Sequence, residues 1–162
     1  MVTIIVAMTN DRVIGANGQI PWKIKDDMKL FKSLTEGNTV IMGKATWLSL
    51  PAKFRPLPNR SNIVVSTTLP PQEGAHVVKS IEGAIEAAKK NNNEIYCIGG
   101  SKLYGAALPH ADKLCISWVK EPYKGDTYFP AINFNDWRIV ETKEFAEFTF
   151  KRYLRTQSSS SG

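Results

Sequence analysis

The chain has 162 residues, 43% hydrophobic and 22% charged, with a formal charge of +6 and two cysteines. That length suits one domain burying about two thirds of its unfolded surface, and the composition is that of an ordinary soluble globule. No apolar run is long enough to span a membrane. Lysines and arginines are scattered rather than massed, which weakens a nucleic-acid reading and suits an anionic small ligand equally well.

The opening run, Val2–Met8, is too short and lacks the basic lead of a signal peptide, so it is expected to be a strand. A polar stretch from Thr9 to Lys23 follows, bearing Gly15 and Gly18 and ending in Pro21-Trp22. Its length for a small domain marks a lid or binding loop. A helix over Lys25–Thr35 comes next, then a strand over Thr39–Met42 that runs into a helical pattern at Lys44–Leu48. The loop Leu50–Arg60 is stiffened by Pro51, Pro56 and Pro58 and presents Lys53, Arg55 and Arg60. Strands are expected at Asn62–Ser66 and His76–Val78, and a Ser-capped helix at Ser80–Asn91. Glu94–Ile98 reads as a strand feeding a helix at Ser101–Leu108, and Lys113–Val119 as another strand. A final pair, Trp137–Lys143 and Phe148–Arg155, looks like an edge hairpin.

This alternation argues an α/β fold: a single domain over 1–157 with a mainly parallel, mixed central sheet of about eight strands. A C-terminal antiparallel hairpin closes the sheet, and about four helices flank it. The Ser-rich residues 158–162 are expected to form a disordered tail. Cys97 and Cys115 lie in apolar strands without metal spacing, which points to reduced, buried thiols in a cytoplasmic protein.

Asp27 carries the most chemistry. At roughly 100° per residue, Leu30, Phe31 and Leu34 fall within about 60° of it, so the carboxylate sits on the helix's apolar face. Lys25, Lys29 and Lys32 take the wet side. Burying an unpaired carboxylate costs several kcal/mol, so such a placement usually serves a function. The alternative is a first-turn acid held by the helix dipole, which suits Asp26 at the stripe's edge better.

Gly99-Gly100-Ser101, between a strand and a helix, has the form of a phosphate cradle, although a tight turn would read the same; it is neither a Walker A loop nor a complete G-x-G-x-x-G. Val40-Ile41-Met42-Gly43-Lys44-Ala45-Thr46-Trp47 repeats that grammar, and Val64-Val65-Ser66-Thr67-Thr68 ends in hydroxyls. Three such strand ends could line the carboxyl edge of a sheet and take a dinucleotide. His76 and His110 stand near no carboxylate or cysteine pattern, and no metal-ligand or nucleophile triad arrangement is present. One acid, a dinucleotide-like edge and no metal point to hydride transfer with a single protonation.

At this point the chain resembles the dihydrofolate reductases, most of all the monomeric chromosomal bacterial type. The likeness runs from Ile4 to about Arg155. It rests on Asp11-Arg12-Val13-Ile14-Gly15, Pro21-Trp22, Asp27 with Phe31-Lys32, Val40-Ile41-Met42-Gly43 and Thr46-Trp47. It continues through Pro56-Leu57-Pro58-Asn59-Arg60, Ile98-Gly99-Gly100, Tyr104 and Gly125-Asp126-Thr127-Tyr128-Phe129-Pro130.

The resemblance implies NADPH-dependent reduction of 7,8-dihydrofolate for one-carbon metabolism, by a cytoplasmic monomer open to antifolate inhibitors, with no nucleic-acid or membrane partner. It implies that Asp27 holds the pterin and supports protonation of nitrogen 5. Ser117 stands where the family commonly has a Thr bonded to that acid, and Trp22 would order water beside the ring. Ile5, Ala7, Met28, Phe31, Leu50, Leu57 and Ile98 would form the slot around the substrate, with Tyr104 beside it. Arg60 would clamp the glutamate carboxylate, with Arg55 and Lys32 as outer cations.

For the cofactor, the resemblance implies that Ala7, Ile14, Gly15 and Tyr104 flank the nicotinamide, with Ile20, Ile98 and Thr127 nearby. Gly43, Thr46, Gly99, Gly100 and Ser101 would hold the diphosphate, next to Ala45 and Leu103. Lys44, Ser66, Thr67 and Lys102 would face the 2′-phosphate, near Val65 and Lys79. Lys44 and Lys102 stand where relatives often carry Arg, Ala45 where a polar residue is common, and Ile20 where Met or Leu is. Two alternatives remain: a same-fold pyrimidine reductase of riboflavin synthesis, and a non-enzymatic nucleotide- or RNA-binding domain.

Overall fold

The eight apolar runs all become strands of one sheet, in the computed structural model, which describes residues 1–156. The Ser-rich end at 158–162 lies outside the described residues. In chain order the elements are β1 (Val2–Thr9), β2 (Val13–Gly15), α1 (Lys25–Thr35), β3 (Thr39–Gly43), α2 (Lys44–Ser49), β4 (Ser61–Val65) and β5 (Ala75–Val78). Then come α3 (Ile81–Lys89), β6 (Ile95–Cys97), α4 (Ser101–Ala107), β7 (Lys113–Val119), β8 (Thr127–Tyr128), β9 (Trp137–Glu144) and β10 (Phe148–Arg155). Short 3-10 turns stand at Ala52–Phe54, Leu108–His110 and Phe134–Asp136.

The sheet order is β5-β4-β3-β6-β1-β7-β10-β9. The six strands from β5 to β7 are parallel, and β10 inserts antiparallel between β7 and β9. Helices on both faces explain why the inner strands are apolar at nearly every position. Alternation splits each strand between two cores. Ile4, Val6 and Met8 of β1 pack with α3 and α4 through Ile81, Ala84, Leu103 and Ala107. Ile5 and Ala7 face the other way, toward α1 and the clusters around Trp22 and Trp47. Ala7 pairs with Ser117, so both side chains stand on the α1 face.

Local chemistry sets the ends. Ser80 caps α3 by accepting from the Gly83 amide at 3.0 Å, as its sequence predicts. The strand expected at Asn62–Ser66 stops one residue earlier, because the Ser66 hydroxyl accepts from the amides of Thr68 and Leu69 and turns the chain.

Two strands escaped the sequence: β2 and β8, which pair antiparallel. They fold the predicted lid into a flap. Asn17 and Gly18 have φ of 53° and 77°, and Ala16 and Gln19 bond amide to carbonyl in both directions at 2.8 and 3.0 Å. That is the tight hairpin turn an Asn-Gly pair favours. The solitary His110 is also corrected. Its Nε2 lies 3.2 Å from a Glu82 carboxylate oxygen, because the turn after α4 meets the first turn of α3 at the surface.

Candidate active site

Asp27 lies in the first turn of α1, a helix whose only buried residue is Thr35. Leu30, Phe31 and Leu34 share the acid's face and are half-buried, so the apolar stripe lines an open cleft instead of closing onto the sheet. The cleft's floor is the α1 face of β1 and β7. There the hydroxyl of buried Ser117 donates to an Asp27 carboxylate oxygen at 2.6 Å. Burial pushes the Asp27 pKa above the usual carboxylate range, and the Ser117 bond offsets part of that rise.

The predicted slot residues gather around this pair. Ile5, Leu50, Leu57 and Ile98 pack together against the cluster of Val40, Met42 and Trp47, while Ala7 packs beside Trp22. Met28 is 56% exposed and Ile20 is 65% exposed, so neither side chain is used by the fold. Tyr104 is buried, its hydroxyl donating to the Ile5 carbonyl at 2.8 Å and its ring packed on Phe129. Trp22 is 8% exposed, and its indole N–H, which no described residue accepts, is not sealed from solvent.

The cations divide by role. Among the described residues no carboxylate reaches Arg60 within 4 Å. Its guanidinium sits 6.0 Å from the Phe31 ring centroid and its buried Nε lacks a partner. Arg55, by contrast, donates to the carbonyls of Leu48 and Leu50 at 2.6 and 2.8 Å, which binds it to the end of α2. Lys32 is exposed, 4.0 Å from Glu36 on its own helix.

On the other side of the sheet's carboxyl edge, the expected cofactor residues converge. The Gly43 amide donates to the Gly99 carbonyl at 2.8 Å, joining the ends of β3 and β6. Gly99 has φ of 111°, and a Cβ there would press on the Tyr104 ring at 3.0 Å, so only glycine fits. The Thr46 hydroxyl lies 3.7 Å from where a Gly100 Cβ would stand. Ser101 donates to the Tyr128 carbonyl at 2.8 Å, and Lys44 reaches the Thr68 hydroxyl at 3.0 Å. Ala45, Thr67, Lys79 and Lys102 are exposed, Leu103 is buried, and Ile14, Val65 and Ser66 are half-buried. Gly15 and Thr127 face each other across β2 and β8.

The sequence missed the residues that hold the flap. The Asp126 amide donates to the Gly15 carbonyl at 3.0 Å, and its carboxylate accepts from the Asn17 amide at 3.1 Å. A Cβ at Gly125 would overlap the Gly15 carbonyl. Tyr123, from the same loop, packs against Trp22. The Asn17-Gly18 turn was the available signal for the flap; nothing local marks Tyr123. A hollow of about 700 Å³ on the opposite face, lined by Trp118, Phe134, Trp137 and Tyr153 among others, contains none of the expected site residues.

Comparisons with known proteins point to one family. A family model described as Dihydrofolate reductase matches residues 1–156. The chain is 33% identical to a Dihydrofolate reductase of Bacillus subtilis, covering all of this chain and 99% of that one. It is 40% identical to that of Haemophilus influenzae over 90% of this chain and 86% of the relative. The solved structure of Dihydrofolate reductase from Enterococcus faecalis, complexed with NADP(H) and RAB-propyl, superposes with a TM-score of 0.88 at 32% identity, covering 97% of each chain.

Proposed function

The chain belongs to the dihydrofolate reductase family, and we infer that it is an NADPH-dependent enzyme that reduces 7,8-dihydrofolate to 5,6,7,8-tetrahydrofolate. One observation carries the chemistry: a half-buried carboxylate in an apolar cleft, bonded by Ser117 at 2.6 Å, beside strand ends rich in glycine, hydroxyl and lysine.

The residues fit the cofactor. The bare backbone at Gly99-Gly100, where a Cβ would collide with Tyr104, accepts a diphosphate together with Gly43, Thr46 and Ser101. Lys44, Lys102, Ser66 and Thr67 supply charge and hydroxyls for a 2′-phosphate. Ala7, Ile14 and Gly15 flank a nicotinamide. Bound there, NADPH supplies the hydride that reduces carbon 6 of the pterin.

Asp27 grips the pterin's amino group and adjacent ring nitrogen, two donors that match a carboxylate's two oxygens. Ser117 fixes the rotamer of that carboxylate. Water ordered beside the Trp22 indole carries the proton toward nitrogen 5, and the raised Asp27 pKa keeps a proton source available at higher pH. Apolar side chains from Ile5 to Ile98 exclude bulk water, and Arg60, lacking an internal acid, forks onto the glutamate carboxylate. Met28 and Ile20 are free to fold over the bound ligands. Arg55 and Lys32 add outer charge.

We place the enzyme in the cytoplasm as a monomer, with residues 1–157 as its functional unit and the pterin cleft open to antifolates. Its free, buried cysteines support that location: burial pushes the Cys97 thiol up to about 12. The pyrimidine-reductase and nucleotide-binding alternatives draw no support from the site, since neither requires Arg60 over Phe31 beside Asp27. Mixing the protein with NADPH and dihydrofolate and following loss of NADPH absorbance tests the assignment. Rapid turnover is expected, and Asp27→Asn should lower it by at least about 100-fold. Wild-type protein that binds NADPH yet leaves dihydrofolate unreduced refutes it.

A further inference from the structure

Trp22 closes the flap segment just before α1, two residues after the exposed Ile20. Its ring belongs to the buried cluster of Ile24, Cys115, Val119, Phe148 and Phe150. From the loop joining β7 to β8, Tyr123 reaches Trp22 with ring centroids 5.2 Å apart and planes tilted by 54°. That distance and tilt lie within the favourable range for aromatic pairs. Tyr123 is itself half-buried, and its hydroxyl bonds to none of the described residues, so the ring makes the contact.

The loop that carries Tyr123 is anchored at both ends. At its start the Lys120 amide donates to the Glu147 carbonyl at 3.0 Å, and the Lys120 ammonium donates to Glu144 and the Phe145 carbonyl at 2.9 and 2.8 Å. At its end Asp126 bonds Gly15 and Asn17 of the flap. Tyr123 is therefore held by a braced segment and can act as a wedge. Removing its ring uncovers one side of the indole and returns rotational freedom to it.

We propose that Tyr123 is the positioning residue for Trp22, so that one loop fixes both the flap and the indole beside the substrate. The proposal rests on the folate reading of the site, in which the Trp22 N–H orders water at the pterin. Tyr123 is not among the residues expected to line the substrate or cofactor, and it acts by narrowing the orientations of Trp22. Its loss therefore falls on the reductive step more than on NADPH affinity, because the cofactor's phosphates bind at the ends of β3, β4 and β6.

The test is a double-mutant cycle read by single-turnover hydride transfer at saturating substrate, with the Trp22 indole N–H resonance followed in parallel. Tyr123→Ala is expected to slow the step about two- to tenfold, the worth of one aromatic contact, and Tyr123→Phe to restore it. The Trp22 resonance should shift while those of Trp47 and Trp137 stay in place, which also verifies the fold. In the Trp22→Leu background, Tyr123→Ala should add little further loss. If Trp22→Leu is slow but Tyr123→Ala is harmless, or its effect adds in full, the positioning role is overturned and the reading of Trp22 stands. A Trp22→Leu enzyme at wild-type rate overturns both, whatever Tyr123→Ala does.

Discussion

An acid whose charged form is disfavoured by burial holds its proton to higher pH than a solvated one, and Asp27 is such an acid. The proton-dependent step should therefore slow as pH rises through that elevated pKa. Ser117 opposes the elevation by bonding the carboxylate, so Ser117→Ala should move the midpoint of the pH–rate profile upward, as stopped-flow hydride transfer across pH would record. A midpoint that stays put or falls would contradict the role of that bond. Stability follows the same sign. A folded-state pKa above the unfolded one contributes stability below the unfolded pKa and loses it as pH rises through the folded value. Above its raised pKa the ionised Asp27 is thus a cost to folding, and there Asp27→Asn should raise Tm by about 1–3 °C while lowering turnover at least about 100-fold. The acid itself was legible from its place among Leu30, Phe31 and Leu34. Its partner was not visible in the same way, because Ser117 lies 90 positions away and only the β1–β7 register brings it to the α1 face.

Elements show where a side chain serves geometry as well as charge. Arg55, expected as an outer cation, also donates to the carbonyls of Leu48 and Leu50, where α2 ends without a glycine cap. Arg55→Ala should therefore cost about 0.5–1.5 kcal/mol in urea unfolding, since two hydrogen bonds to partly solvated carbonyls are lost. A purely ligand-binding Arg55 would leave the unfolding curve unmoved and change only substrate affinity. Sequence periodicity located α1, α3 and the inner strands because each buries an apolar stripe over several turns or residues. It overlooked β2 and β8, at three and two residues, because such short pairs carry no period and are held by Asp126 and by the glycine at 125. The Asn17-Gly18 pair marks only the turn between Ala16 and Gln19 that follows β2, not its pairing with β8.

Over the whole molecule, β9 is one of the two edges of the sheet at which a second copy would have to pair. Its register with β10 shifts after Arg152, so Val140 has no opposite residue, and Arg138 and Lys143 present charge along the edge. A bulged, charged edge resists pairing with a second copy, even with Ile139 and Val140 half-exposed. Sedimentation velocity at micromolar protein should accordingly give one species of about 18.1 kDa; a concentration-dependent dimer would refute it. The strand–helix alternation made the α/β architecture legible, but the order of strands was not, since neighbours in the sheet are distant in the chain.

That order has a temporal side. β10 fills an inner position, flanked by β7 and β9, although it is the last of the described strands along the chain. Until residue 155 is available, β7 presents an open edge and β9 has no strand to pair with, so a growing polypeptide can assemble only the parallel part. Completion of the sheet therefore waits for β10, with which Phe148, Phe150 and Tyr153 enter both cores at once. A nascent chain stalled before Phe148 would offer the unfinished edge of β7 to chaperones or proteases, so pauses while β10 is being made would prolong that exposure.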